Sequence, residues 1–287
     1  MKPAAFTYHT PATVEEALSL LAAFEDGKVL AGGQSLVPAM AFRLARPSDL
    51  IDINGIESLK RLQVETDAAG RPRLVIGAGV RHAAFHKPVE PGPTGRLLSK
   101  VVKHIAHYPI RMRGTFCGSL ANADPSSEWC LAAAALDATL VLRSAEGSRE
   151  LTTGEFFQGV MTTALEGNEI LVEVRLPLLP PDARTGFYEV SRRAGDFGMA
   201  VALATFRLEG GVMADVRLGL GGAEDHPRRI PEAESALLGR APTAEVFREA
   251  AEAAASAIDP LEDAQTTGAI RRRLVRAVVE RALAGAD

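Results

Sequence analysis

The sequence predicts an α+β protein: a strand, helix, strand opening, a middle section with two glycine-bearing loops, and a small antiparallel sheet packed with helices. Three observations predict it. Val14, Ala17, Leu18, Leu21 and Ala22 fall on one helical face just before the apolar run Lys28 to Ala31. Adjacent prolines in Leu178-Leu-Pro-Pro-Asp182 interrupt helix and sheet alike and mark a linker. Beyond it, two apolar stretches meet at Glu209-Gly-Gly211, a hairpin signal, and three helical patterns follow.

Each element has a local reason. Thr13-Val-Glu-Glu16 resembles a capping box and starts the first helix. Val29 to Ala31 ends a buried strand, and Leu36 to Leu44 can be helical, so Gly32 and Gly33 sit at a strand-to-helix turn. Asp49 to Ile53 reads as a strand; Leu59 to Glu65 and Arg73 to Ala78 read as two more, joined through Thr66 to Arg71. Helical stretches at Arg96 to Ala106 and Ser127 to Leu136 bracket the second loop, with Ser126 or Ser127 as N-cap. Glu169 to Pro177 is a further strand. After the linker come strands at Thr185 to Arg192, Ala200 to Leu208 and Val212 to Leu220, then helices at Pro231 to Leu238, Thr243 to Ile258 and Thr267 to Ala284.

The chemistry concentrates in the two loops. In Ala31-Gly-Gly-Gln-Ser-Leu36, glycine tolerates positive φ and leaves its amide uncovered, while Gln34 and Ser35 add neutral donors. In Arg111-Met-Arg-Gly-Thr-Phe-Cys-Gly-Ser-Leu-Ala-Asn-Ala-Asp-Pro125, Gly114 and Gly118 permit close backbone approach, and Thr115, Ser119 and Asn122 supply hydrogen-bonding groups. Amides at such turns hold phosphate oxygens. The apolar Ile105, Ala106 and Ile110 just before the second loop can cover a flat ring. Either loop alone also fits an ordinary tight connection; two together suggest a dinucleotide.

Ala31 to Leu36, Asp49 to Ile53 and Arg111 to Pro125 resemble the flavin-binding medium subunits of molybdenum hydroxylases, the family that includes carbon monoxide dehydrogenase and the xanthine dehydrogenase flavin domain. Glu169 to Pro177 and Ser191-Arg-Arg-Ala-Gly-Asp-Phe197 are similar to the strand entering that family's C-terminal domain and to that domain's first motif, so the likeness spans the chain in order. It implies a two-lobed flavin-binding domain of the vanillyl-alcohol-oxidase type over residues 1–177, with lobes of about 1–55 and 56–177, and a C-terminal α+β domain over 178–287.

The same resemblance implies FAD, its pyrophosphate held by Ala31, Gly32, Gly33, Gln34, Ser35 and Leu36 and by Thr115, Cys117, Gly118 and Ser119. Asn122, Asp124 and Glu128 would meet the ribityl chain or the adenosine ribose; Ile170 or Leu171 would pack on the flavin edge or adenine. Some relatives place a lysine near the flavin at about Tyr188 or Glu189. This chain has none there, and Arg192 or Arg193 are the candidate substitutes; Tyr188 is kept as a cofactor contact. Distant flavoproteins attach flavin through the histidine of a Gly-Gly-His loop. Gln34 is no comparable nucleophile, so the expected FAD is non-covalent.

The implied function is an electron outlet. A molybdenum cofactor on a large subunit hydroxylates the substrate, iron–sulfur clusters on a small subunit relay the electrons, and this chain passes them to an acceptor, in a dimer of heterotrimers. The wording Gln34 to Pro47 is nearer to medium subunits of N-heteroaromatic hydroxylases than to carbon monoxide dehydrogenase. Two rivals are a self-sufficient FAD oxidoreductase, for which no base pair beside a substrate cavity is evident, and a non-catalytic dinucleotide-binding module.

Composition sets bounds. With 47% hydrophobic and 24% charged residues, a chain of 287 residues can bury a sizeable core. A net charge of −4 argues against nucleic acid as the main partner. No apolar run reaches membrane-spanning length, and the N-terminus has no basic segment leading a long apolar one, so the chain reads as cytoplasmic. Cys117 and Cys130 are the only cysteines, too few for a four-thiolate cluster. They read as buried thiols, Cys117 standing where the family commonly has glycine. His82 and His86 have metal-ligand spacing but lack further ligands and read as solvated helix histidines; His104 and His107 read as surface groups, and Arg271 to Arg273 as a solvated face. No catalytic residue or metal ligand is expected.

Overall fold

The computed structural model describes residues 1–263 and 266–287. Strand β1 (Thr7–His9) leads to helix α1 (Val14–Ala23), whose N-cap Thr13 accepts from the Glu16 amide while Glu16 reaches back to the Ala12 amide. β2 (Gly27–Leu30), α2 (Leu36–Ala41) and β3 (Asp49–Asp52) complete a parallel three-stranded sheet, with β3 between β1 and β2. This order puts the Ala31–Ser35 turn at the carboxyl end of β2, where a crossover unit presents ligands.

The second sheet is antiparallel, in the order β4 (Leu62–Thr66), β5 (Pro72–Gly77), β10 (Ile170–Pro177), β6 (Thr139–Arg143) and β7 (Ser148–Thr152). Between β5 and β6 the chain forms a 3₁₀ turn over His82–His86, then α3 (Pro93–Val101), α4 (Tyr108–Arg111), α5 (Phe116–Asn122) and α6 (Glu128–Ala135). The second loop thus encloses a helix of its own. Its caps explain this: the Thr115 hydroxyl accepts from the Gly118 amide, and Ala123 takes φ 49° to end the helix. β6 (Thr139–Arg143), β7 (Ser148–Thr152), α7 (Thr153–Phe156), β8 (Phe157–Gly159), β9 (Thr162–Thr163) and β10 (Ile170–Pro177) follow. β10 lies at the sheet centre, pairing with both β5 and β6, which suits its nearly continuous burial.

Past the proline turn, β11 (Arg184–Ser191), β12 (Gly198–Glu209), β13 (Val212–Gly221) and β14 (Arg228–Arg229) form an antiparallel sheet in sequence order. α8 (Pro231–Leu237), α9 (Ala244–Ala257) and α10 (Gly268–Ala284) pack on it; Thr243 and Thr267 cap the last two. β12 divides its faces between two cores. Ala200, Ala202, Ala204 and Phe206 pack with α9 and α10, while Val201 and Leu203 join the core of the first two sheets. At Gly186 a Cβ would lie 1.8 Å from the Ala282 carbonyl, so glycine there lets α10 rest directly on β11.

The first core is centred on an aromatic group. Trp129 of α6 lies 5.0 Å from Phe85 and 4.8 Å from Phe116, ring centre to ring centre, and all three are fully buried. Arg271 is no solvated charge: it is 4% exposed and donates to the carbonyls of Leu261, Met199 and Gly222 and to Asp263. This pins α10 to the start of β12. Among the described residues no helix is long and apolar enough to cross a membrane, and no group of three His, Cys, Asp or Glu side chains is placed to hold a metal ion.

Candidate functional site

The two glycine loops meet across one cleft of about 520 Å³. Their backbones touch: a Cβ on Gly32 would lie 2.4 Å from the Arg113 carbonyl oxygen and 2.5 Å from the Gly114 Cα. Gly33 holds φ at +70°, the left-handed region that glycine takes without strain. No acceptor among the described residues takes the amides of Gly32, Gly33, Gln34 or Ser35. A run of open N–H groups on a glycine turn is an anion cradle. The Gln34 amide folds back to the Gly32 carbonyl at 3.0 Å, whereas the Ser35 hydroxyl is exposed and makes no cap bond.

A network outside the cleft fixes the loop spacing. Asn54 Nδ2 donates to the Ala31 carbonyl at 2.8 Å, and Arg81 Nη2 donates to Asn54 Oδ1 at 2.6 Å. Arg81 Nη1 also donates to the Arg113 carbonyl, so one guanidinium joins both loops. Asp52 accepts from the Asn54 amide at 2.8 Å and from the Tyr8 hydroxyl, holding the network against β3.

The cleft combines an apolar lining with carboxylates. Ile105, Ala106, Ile110, Ile170 and Leu171 are part of its apolar lining. Arg111 shapes it by donating to the Ile105 and Ala106 carbonyls, 2.8 Å each, while Ala106 takes φ 41°. Ser119, Asn122, Asp124 and Glu128 supply polar lining, with Asp124 near Glu128. Burial, with Asp124 nearby, pushes the Glu128 carboxyl up to about 7. Burial likewise raises Asp124, although the Ser126 amide donates to it at 2.9 Å. Glu169 also lines the cleft, but its carboxylate is engaged by Arg149 at 2.7 and 2.8 Å and is held below the usual range.

Cys117 lines the cleft as a buried thiol. Its Sγ donates to the Ile76 carbonyl at 3.5 Å, and burial pushes its pKa up, so it is no nucleophile at neutral pH. Cys130 lies behind it, 3.4 Å from the Ser119 carbonyl, raised to about 12 by burial; both thiols are free.

Of the residues that the resemblance implies as cofactor contacts, Tyr188 lies off the cleft, as do the candidate substitutes Arg192 and Arg193. β-strand alternation turns Tyr188 toward α10, where its hydroxyl accepts from Arg281 and its ring lies 4.9 Å under that guanidinium. Glu189 points the opposite way. Its side chain is 2% exposed, and its carboxyl is raised to about 8 by burial and by Glu128. His104 Nδ1 lies 3.7 Å from it, close enough for an ion pair. Burial lowers His104, however, so the geometry joins two neutral groups. Arg192 and Arg193 are exposed and off the cleft.

Several lining residues escaped the sequence reading. Lys28 on β2, an exposed lysine, is one of the lining residues. The Gly195–Phe197 turn between β11 and β12 also lines the cleft, Gly195 taking φ +86° where a Cβ would strike His107 at 2.7 Å. Phe197 is 73% exposed there, an unshielded ring beside the cleft. His82 lies in the lining, 4% exposed, not on a solvated helix.

Paired glycine loops, open amides, an apolar lining and carboxylates make a site for a dinucleotide bearing a flat ring. Residues 4–179 match the family described as the FAD binding domain in molybdopterin dehydrogenase, and residues 186–286 match the CO dehydrogenase flavoprotein C-terminal domain. The chain belongs to this family of molybdopterin dehydrogenase FAD-binding proteins. It is 35% identical over 283 residues to the nicotine 6-hydroxylase medium subunit of Paenarthrobacter nicotinovorans, covering 99% of this chain and 98% of that one. It is equally 35% identical over 288 residues to the caffeine dehydrogenase subunit beta of Pseudomonas sp. strain CBB1, covering 100% and 96%. Among solved structures, a carbon monoxide dehydrogenase chain of Hydrogenophaga pseudoflava superposes with a TM-score of 0.92 at 34% identity, covering 99% and 98%. A quinoline 2-oxidoreductase chain of Pseudomonas putida 86 does so with 0.90, also at 34%, covering 99% and 97%.

Proposed function

We propose that this chain is the FAD-binding, electron-transferring medium subunit of a molybdenum hydroxylase, acting with a small iron–sulfur subunit and a large molybdenum-cofactor subunit in a dimer of heterotrimers. The observation that carries the reading is the cleft itself: it offers an anion cradle, an apolar wall and hydroxyl acceptors, and no side chain in it is set up as a nucleophile. FAD supplies one- and two-electron transfer when bound, and no protein acid is needed to break a carbon bond.

The residues divide the binding work. The amides of Gly32 to Ser35, with the Ser35 hydroxyl, hold the pyrophosphate, and Lys28 offsets its charge. Thr115, Gly118 and Ser119 close the cradle from the second loop. Ile105, Ala106, Ile110, Ile170 and Leu171 keep water from the ring, and Phe197 can cover it as well. Asn122, Asp124 and Glu128 take the hydroxyls. Nothing in this set bonds covalently to the flavin, Gln34 included. The binding domain is residues 1–177, and residues 178–287 contribute the Gly195–Phe197 turn.

Glu128 gives this reading a pH signature. Hydroxyls donating to its carboxyl favour the ionised form, so FAD binding should release a proton below about pH 7 and affinity should rise with pH up to that point, then level off. Titration calorimetry in buffers of different ionisation enthalpy reads the proton, and Glu128→Gln should abolish it. A raised carboxyl pKa also makes the protein's own stability fall as pH rises through about 7, since the folded chain binds the proton more tightly than the unfolded one.

The reading is tested by purifying the native complex through a tag on this chain. Heat-released FAD together with co-purifying molybdenum and iron in separate chains is the expected result. A lone chain carrying a covalently attached flavin would overturn it.

A further inference from the structure

We propose that His82 is a binding residue for the cofactor diphosphate, donating its Nε2–H where the two loops meet, and that Trp129 locks it in that tautomer. The proposal rests on the FAD reading and adds to it a residue that neither glycine loop contains.

The tautomer follows from hydrogen-bond chemistry. Trp129 Nε1 lies 2.9 Å from His82 Nδ1, and an indole nitrogen can only donate. Nδ1 must therefore be the bare acceptor, and a neutral ring carries its hydrogen on Nε2. Trp129 cannot turn away, because it is fully buried between Phe85 and Phe116. Burial, then the charges of Arg81 and Arg111, hold His82 down at about 3, so the ring is neutral throughout the physiological range.

The direction of the donor follows from packing. The His82 amide donates to the Gly114 carbonyl at 2.9 Å, fixing the ring against the second loop. A Cβ on Gly114 would lie 2.4 Å from His82 Nε2, so the imidazole fills the space over that glycine, and Gly32 of the first loop abuts the same Gly114 Cα. Nε2 has no partner among the described residues, although the ring is 4% exposed and lines the cleft. Nε2 opens into the cleft, where it can donate to an acceptor that arrives with the ligand. The open amides of the first loop, whose Gly32 abuts the same Gly114, suit the same kind of acceptor, a diphosphate oxygen. A neutral donor serves there without a second charge to desolvate.

The test uses the full-length chain labelled with ¹⁵N-histidine, titrated with FAD and with ADP as a probe holding the diphosphate but no flavin. Long-range ¹H–¹⁵N spectra should show His82 neutral with its hydrogen on Nε2, and that nitrogen should shift with both ligands. His82→Phe should weaken FAD and ADP alike by about tenfold or more, and His82→Gln, whose amide nitrogen reaches a similar place, should recover most of the loss. Trp129→Phe should let the Nδ1–H tautomer appear. A charged or Nδ1–H His82 in the wild type would overturn the proposal, whether or not the variants fold. So would His82→Phe binding both ligands normally, or losing FAD while keeping ADP. A wild-type chain that binds neither ligand would instead remove the FAD reading on which the proposal stands.

Discussion

Replacing Gly32 by valine is expected to abolish FAD binding while the chain still folds. Even the first added carbon would meet the Arg113 carbonyl oxygen at 2.4 Å and the Gly114 Cα at 2.5 Å, and both obstacles are backbone. Neither can swing aside as a long side chain would, so one loop must move off the other. The open amides of Gly32 to Ser35 then no longer face the second loop at the spacing of one diphosphate. An overpacked contact of this kind costs about 1–3 kcal/mol in the protein alone, and lost amide bonds add to that in binding, so a fall of at least about a hundredfold in affinity is expected. Flavin fluorescence quenching measures it. Gly167→Ala, where nothing lies within 4 Å, should bind FAD as the wild type does.

Arg81→Met should also weaken FAD, by roughly ten- to a hundredfold, although Arg81 does not line the cleft. Its guanidinium joins Asn54, which holds the Ala31 carbonyl, to the Arg113 carbonyl of the other loop. Methionine keeps much of the bulk and breaks both bonds. The two loops then keep their own conformations but lose their mutual spacing. Asn54→Ala cuts the same link one bond earlier, so the double variant should be hardly weaker than either single one. Additive losses would mean that the residues act separately and that no such clamp exists.

The loops were legible because their composition is constrained by what they do: Gly32, Gly33 and Gly114 are required where backbones touch or φ turns positive, and such requirements show in sequence. The hairpin at Gly210 and Gly211 and the helix starts at Thr13, Thr243 and Thr267 were readable for the same reason. The helix Phe116–Asn122 was hidden because Gly118 and Asn122 read as breakers, yet the Thr115 cap satisfies the exposed amide and the turn at Ala123 ends it cleanly. β6 escaped because it is a short interior strand between β10 and β7 whose buried run Leu140–Leu142 shows no alternation, and β7 because this edge strand carries Leu151 as its single apolar residue. Tyr188 shows how a one-residue difference reverses a strand residue: Glu189 lies toward Glu128 and His104, and Tyr188 faces Arg281. Lys28, His82 and Gly195 to Phe197 come from three separate elements. Only the fold brings them to one cleft, so the Ser191 to Phe197 motif and the His82–His86 spacing could be seen in the sequence without pointing there.

Electrons are expected to reach this chain from partner subunits. The direct measurement is an anaerobic absorbance record of the tagged complex and of the isolated, FAD-loaded chain, each mixed with candidate N-heteroaromatic substrates. The flavin band should bleach in the complex, with iron–sulfur absorption changing alongside it, and should stay unchanged in the isolated chain until a chemical reductant is added. Substrate-driven bleaching of the isolated chain would contradict the account and make this protein a flavoenzyme in its own right.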